Sequence, residues 1–373
     1  MADRQRVTDL FVKLAGISSP SRHERGVADL VKSKLQSLGF EVEEDDSGAK
    51  IDGDAGNIIA FKNGSVPHAR RIFLCCHMDT VDATDNLHLN VEDGEIRTDG
   101  STILGADDKA GIAAVIEGLE SVIESGKPHG DIQVLFDVSE EVGLLGAKAM
   151  DHSKIRADMG YVFDTERPVA GITISAPSHE SIFVTVTGKA AHAGIAPEKG
   201  VSAIVAASRA IAKMKLGRID EETTTNVGVI EGGKARNIVP EKVVVKAEAR
   251  SRAEHKLVEA VEHMRELFES EAEKIGARAE VVCSREYTSY RFSESDEVVK
   301  LAMAASRRIG IEPVFIEGGG GSDANVFNSA GIPTVVVGVG YEGAHSSSEH
   351  IAIDDLVKAS EFASALVLTA AEG

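Results

Sequence analysis

Residues 72–79 read IFLCCHMD. The unbroken apolar run from Ile72 to Cys76 is what a strand buried on both faces requires. It runs into His77 and Asp79, which stand two apart and so project from the same side if the strand continues. Packing gives a buried strand no reason to finish on an imidazole and a carboxylate. A polar strand end meeting solvent is the plain reading, and a binding site at the strand end is the other.

Outward from this strand the first half of the chain alternates helix and strand signals. Ser18, Ser19, Pro20 and Ser21 offer capping and first-turn residues, after which Val27, Leu30, Val31, Leu35 and Leu38 trace one helical face up to Gly39. A second helix carries Ile112, Val115, Ile116, Leu119, Val122 and Ile123 and ends at Gly126. DIQVLFDV and MGYVF read as two more buried strands. This is the α/β pattern of a largely parallel sheet covered on both faces.

Near Pro177 the texture changes. SIFVTVTG and VVVKAEAR alternate apolar and polar residues, as strands with one wet face do. Two amphipathic helices, roughly 200–214 and 253–275, complete a β, α, β, β, α, β order suited to an open-faced sheet with two helices on one side. From about residue 293 the first texture returns, with a helix through VVKLAMAASRRIG, the strand TVVVGVG and a last helix from Asp354. The expected organisation is a catalytic domain of residues 1–177 and 291–373, interrupted by an inserted α+β domain at 178–290.

A chain of 373 residues is long enough for two such cores. Sixty acidic against forty basic residues give a net charge of −20, which argues against nucleic-acid or anionic-membrane partners. The start, MADRQRVTDLFVKL, has no apolar signal region and no stretch approaches a membrane span, so the cytoplasm is the expected compartment. Cys75, Cys76 and Cys283 form neither a disulfide framework nor a CxxC site.

Ligands of open parallel sheets bind beyond the carboxyl ends of the strands. Here His77, Glu140 and Glu141, Asp164, and His345 each follow such a strand, while Asp107 and Asp108 sit where ILGADDKAG enters a helix. Each has a plain alternative as a cap, a solvated turn or a strand terminator, but their convergence on one sheet edge points to a site. Imidazoles with carboxylates and no thiolate suit zinc, cobalt or manganese. The number of carboxylates argues for two cations sharing a bridging carboxylate. In EEVGLLGA one glutamate can then bind metal while the other takes a proton from the attacking water.

HMDTV, GADDKAGIAA, SEEVGLLGA, FDTE, GKAAHAG, RNIVPE, GGGGSDAN and GAHSSSEH together resemble the co-catalytic metallopeptidase family of peptidase T, carboxypeptidase G, aminoacylase and succinyl-diaminopimelate desuccinylase. They follow the family's order over essentially the whole chain, and GADDKAGIA with EEVGLLGA looks most like the peptidase T branch. The resemblance implies that His77 and Asp164 hold one metal, Glu141 and His345 the other, and that Asp107 bridges them. It implies that Glu140 is the general base and that the Asp79 carboxylate orients the His77 imidazole. Asp108 competes with Asp107, Glu166 with Asp164, and His350 with His345. His345 is favoured because the family's ligand precedes a glutamate, as in HSSSE.

In the inserted domain the resemblance makes His192 a contact of the developing oxyanion and assigns Asn237 and Arg250 to the substrate's polar groups or carboxylate. The same domain would serve as lid and dimer interface. GGGGSDAN lacks the spacing of a nucleotide loop and reads instead as backbone, with Gly320 and Ser322, passing close to substrate. A free substrate α-amine is expected to meet spare carboxylates at Asp108 and Glu166. The sequence thus predicts a homodimeric, cytoplasmic two-zinc aminopeptidase acting on tripeptides. An N-acyl amino acid amidohydrolase or carboxypeptidase on the same scaffold is the enzymatic rival, and a non-catalytic peptide-binding protein the rival from another class.

Overall fold

The computed structural model describes residues 2–372, which divide into two compact units. The first comprises residues up to 174, 292–317 and 322 onward. Its central sheet has the strand order Glu41–Glu44, Ile58–Lys62, Ile132–Asp137, Ile72–His77, Met159–Val162, Thr334–Val337 and Ile172–Ala176. The middle four are parallel to one another. Antiparallel strands flank them on both sides. Their carboxyl ends therefore lie together along one edge, the place where a parallel sheet gathers ligands.

Alternation within the Ile72–His77 strand shows how both faces are covered. Ile72, Leu74 and Cys76 join the core formed with the helices Arg4–Ala15, Ala106–Ser125 and Ile353–Ala370. Phe73 points the other way and meets Phe327, of the Asp323–Ser329 helix, edge to face at 5.0 Å between ring centroids. The neighbouring strand makes room for that ring with Gly160, where a Cβ would be driven into it. A smaller antiparallel sheet, not anticipated from the sequence, joins Leu89–Glu92 and Glu95–Thr98 to the hairpin of Tyr341–Glu342 and His350–Ala352.

The second unit comprises residues 175–291 and 318–321. Its antiparallel sheet has the order Gly217–Arg218, Thr223–Gly232, Lys242–Ser251, Ser178–Thr187 and Arg278–Tyr287; with the helices Ala203–Ile211 and Glu254–Glu273 the chain order is β, α, β, β, β, α, β, the expected order with the two-residue strand Gly217–Arg218 added. Ile182, Val184, Val186, Val243 and Val245 pack beneath Ala206, Ala210, Leu257 and Phe268. The intervening residues face outward, and among them Phe183 and Val282 are about half exposed. Among the described residues no helix is long and apolar enough to cross a membrane. The three cysteines are free.

Because the Phe73 ring occupies the space a side chain at position 160 would need, Gly160→Ala is expected to lower stability by about 1–3 kcal/mol. Urea unfolding measures this, and an unchanged midpoint would mean that the two strands part to admit the methyl group.

Candidate metal centre

Three adjacent parallel strands deliver the first part of the site. His77 is the last residue of its strand, Glu140 and Glu141 follow Ile132–Asp137, and Asp164 follows Met159–Val162. Thr334–Val337 leads into the hairpin whose connecting loop carries His345. Asp107 lies at the start of the Ala106–Ser125 helix, and its bond to Asp108 is a cis peptide.

These side chains converge. His77 Nε2 is 3.1 Å from Asp107 Oδ1 and 3.7 Å from Asp164 Oδ1. His345 Nε2 is 3.2 Å from Asp107 Oδ2 and 3.0 Å from Glu141 Oε1. Asp107 thus stands between the two imidazoles and offers one oxygen to each. Glu140 joins His77 and Glu141 in a further group whose donor atoms lie within 4.8 Å of one another. The Tyr341 hydroxyl donates to Asp107 Oδ1 at 3.1 Å and Asp164 Oδ1 at 3.4 Å.

The competing residues point elsewhere. Asp108 is fully buried and its Oδ2 accepts the His77 backbone N–H, so it cannot receive a substrate amine as the sequence reading expected. Glu166 is exposed and accepts the Ala344 N–H. His350 lies beside Glu95 and Glu342.

Asp79 does more than lie beside His77. The His77 Nδ1 faces the Asp79 backbone carbonyl at 3.0 Å, while the Asp79 carboxylate is 3.4 Å away. A carbonyl can only accept, so Nδ1 carries a proton toward it, and Nε2 is left to face Asp107. The carboxylate itself accepts the N–H groups of Glu140 at 2.9 Å and Glu141 at 3.2 Å, and the Ser21 hydroxyl at 2.6 Å. It thereby also fixes the paired glutamates.

The electrostatics suit a cation. Burial alone would push the His77 imidazole down, but Asp107, Asp164 and Asp79 outweigh it and hold the ring well above its usual value. Asp107 and Glu141 push half-exposed His345 up to about 10. Burial would raise Asp107, yet His345 and His77 hold it below the usual carboxylate range. Burial, then the Asp164 charge, drives Glu140 well up, and burial lifts Asp164 to about 6. Proton binding this strong at two imidazoles among carboxylates marks a position where a divalent cation can replace the proton. Two nitrogens with the oxygens of Asp107, Glu141 and Asp164 form a donor set that fits zinc, cobalt or manganese.

In the second unit His192 and Asn237 are brought side by side. His192 pairs with Ile238 and the Ala193 N–H donates to the Asn237 carbonyl, and both side chains are exposed. Arg250 is cross-strand to His179 and donates to Glu248 at 3.0 Å, while its Nε is buried without a partner. One substrate assignment, Ser322, needs correction. The space beside Gly320 is open, and at Gly321 a Cβ would strike the Tyr287 ring. The Ser322 hydroxyl is buried and caps the Asp323–Ser329 helix in a capping box.

Several residues around the centre escaped the sequence reading. Glu349, 1% exposed, accepts the N–H groups of Leu104, Gly105 and Asp107. Burial pushes the Lys109 ammonium down to about 8, with Glu349 and Asp79 opposing, and its Nζ donates to the Ile17 carbonyl. Buried Glu24 accepts the Ser139 N–H and hydroxyl at the turn before Glu140. Cys75 donates to buried Asp137, next to Asp323. The one available signal was the glutamate of HSSSE, used only to choose between histidines.

Residues 73–369 match the sequence profile of the peptidase family M20/M25/M40. Protein YqjE of Bacillus subtilis (strain 168) is 42% identical over 372 residues, covering all of both chains. Among solved structures, aminopeptidase PepT from Bacillus cereus ATCC 10987 superposes with a TM-score of 0.93 at 41% identity, over 99% of each chain. A tripeptidase from Staphylococcus aureus subsp. aureus Mu50 gives a TM-score of 0.96 at 38% identity over the whole of both chains. With a matched fold, a metal-ligand cluster and relatives along its full length, the chain belongs to the peptidase family M20/M25/M40 and is a metallopeptidase.

Proposed function

We propose that this protein is a two-metal aminopeptidase that removes the N-terminal residue of tripeptides. The observation that carries the reading is Asp107, one carboxylate placed between His77 and His345 so that each oxygen serves a different side of the centre. The likeness to an aminopeptidase PepT and a tripeptidase supports the choice of substrate. His77 and Asp164 would hold one cation, Glu141 and His345 the other, and Asp107 both. Zinc is the metal preferred, with cobalt or manganese as substitutes. When bound, the cations supply Lewis acidity toward the scissile carbonyl and acidify water.

The chain's own residues supply the rest. Glu140, buried and with its N–H held by Asp79, takes the proton from the attacking water and returns it to the leaving amine. His192 donates to the developing oxyanion, and Arg250 and Asn237 receive the substrate's far end. The second unit acts as lid and dimerisation domain of a cytoplasmic homodimer. Two observations support this: about half-exposed Phe183 and Val282 on that unit's open sheet face, and, across the chain, the free cysteines Cys75, Cys76 and Cys283, which suit a reducing compartment.

Glu140→Gln keeps the shape of the side chain but cannot accept a proton. It is expected to lower kcat by roughly 10² to 10⁴ with metal content unchanged, and a parental rate would assign the base elsewhere. His192→Ala is expected to cost roughly 10² to 10³ in kcat, again with metal retained, as loss of an oxyanion donor does. The direction of attack is tested with one tripeptide bearing a free or an acetylated N-terminus. The free peptide should lose its first residue while the acetylated one is spared. Equal cleavage, or release of the C-terminal residue first, would indicate an amidohydrolase or carboxypeptidase, and no cleavage of any peptide a binding protein.

A further inference from the structure

Glu349 is a buried carboxylate that, among the described residues, accepts its hydrogen bonds from backbone. Oε2 accepts the Leu104 and Gly105 N–H groups at 2.8 Å each, and Oε1 accepts the Asp107 N–H at 2.9 Å. Buried Lys109 is the cation whose charge bears on Glu349 and on Asp79. We propose that Glu349 is a positioning residue, which sets the bridging carboxylate Asp107 and the imidazole of His345 relative to each other. This rests on the two-metal reading above.

The geometry works from both ends of the same side chain. At its backbone end, Glu349 closes the loop that carries His345. The Glu349 N–H donates to the Ser346 carbonyl, the Ser346 hydroxyl donates to the Gly343 carbonyl, and His350 next to it is paired with Glu342 across the hairpin. His345 itself has a φ of 62°, a left-handed conformation that a residue with a side chain keeps only when its surroundings enforce it. At its carboxylate end, Glu349 holds the backbone of Asp107 directly. Asp107 and His345 are far apart in sequence and 3.2 Å apart at their side-chain atoms. Glu349 is the residue that ties the two backbone segments by charged hydrogen bonds, which are stronger than neutral ones. Its carboxylate touches no reacting group, so it acts through Asp107 and His345.

The rival role is merely structural: an anion stabilising the start of the Ala106–Ser125 helix. Glu117 provides the control. It lies on the same helix, is also 1% exposed, and accepts from Arg6, the Asp3 N–H and Ser121 away from the centre. Glu349→Gln preserves the shape but turns one acceptor into a donor facing an N–H. Zinc titrations against a chromophoric chelator, thermal melts and tripeptide kinetics are compared for the parent, E349Q and E117Q. Zinc affinity and kcat should each fall about 10- to 100-fold in E349Q, the range found when a ligand's supporting hydrogen bonds are lost. KM should stay within about twofold, since groundstate binding is untouched. E117Q should lose thermal stability and keep the parental zinc affinity. If E349Q resembles E117Q, or is parental throughout, the inference is wrong. Should E349Q fail to fold, Glu349→Asp retains the charge with the carboxylate drawn back by one methylene; weakened zinc binding in that folded variant supports the inference, and parental binding overturns it. A parent that binds no zinc would bring down the two-metal reading and this inference with it, whereas parental behaviour of the variant alone leaves that reading intact.

Discussion

One carboxylate shared by two imidazoles is the interaction on which the centre depends. Asp107 can serve His77 and His345 at once only if a helix start, a strand end and a distant hairpin loop arrive at one point. The parallel sheet brings the first two together, because neighbouring parallel strands finish at the same edge. The hairpin is brought in by a separate sheet, in which His350–Ala352 pairs with Glu95–Thr98. The small sheet therefore has a chemical consequence, since its register fixes where the His345 loop begins and ends.

Gathering carboxylates in a buried place is costly unless each is hydrogen-bonded or neutralised. The protein meets this cost with backbone amides. Asp79 takes two N–H groups from the paired glutamates, and Glu349 takes three from the loop around Asp107. Amide donors add no positive side chain that would compete with a cation for the ligands. The one buried ammonium, Lys109, is engaged with the Ile17 carbonyl and leaves the ligand oxygens to the imidazoles. What remains unbalanced is the group of Asp107, Glu140, Glu141 and Asp164, where extra positive charge is favoured.

Much of this could be read from sequence because strand ends announce themselves. His77, the Glu140–Glu141 pair and Asp164 each interrupt an apolar run, and the period-two strands of the second unit announced all of its strands but the two-residue Gly217–Arg218. Choices between neighbours were harder. Asp107 and Asp108 differ only in which way the chain turns, and the backbone directs Asp108 to the His77 N–H and Asp107 to the imidazoles. Spacing put Asp79 beside His77 but did not announce its hold on Glu140 and Glu141, because spacing reports the side of a strand and not the hydrogen bonds formed there. Ser322 was misread for the same reason, and the glycines before it show the same limit. Four glycines in a row do not say which of them faces Tyr287, and a serine before a helix caps it in preference to meeting a ligand.

The supporting contacts that sequence reading passed over share a property. Glu349, Glu24 and Asp79 are buried acids whose partners are mainly main-chain donors, and a main-chain donor leaves no signature in residue type. Pairs such as Arg6 with Glu117 can be suspected from complementary charge, but an acid satisfied by amides looks like any surface acid. The useful sign is context: a lone acid in or beside a turn, a few residues from a ligand. Glu349 follows His345 at four residues, and Asp79 follows His77 at two. In each case the acid near one ligand holds the backbone of a different one, Asp107 for Glu349 and Glu141 for Asp79. Such crossed support makes the ligands interdependent, so that disturbing one segment is felt at the side chains of another.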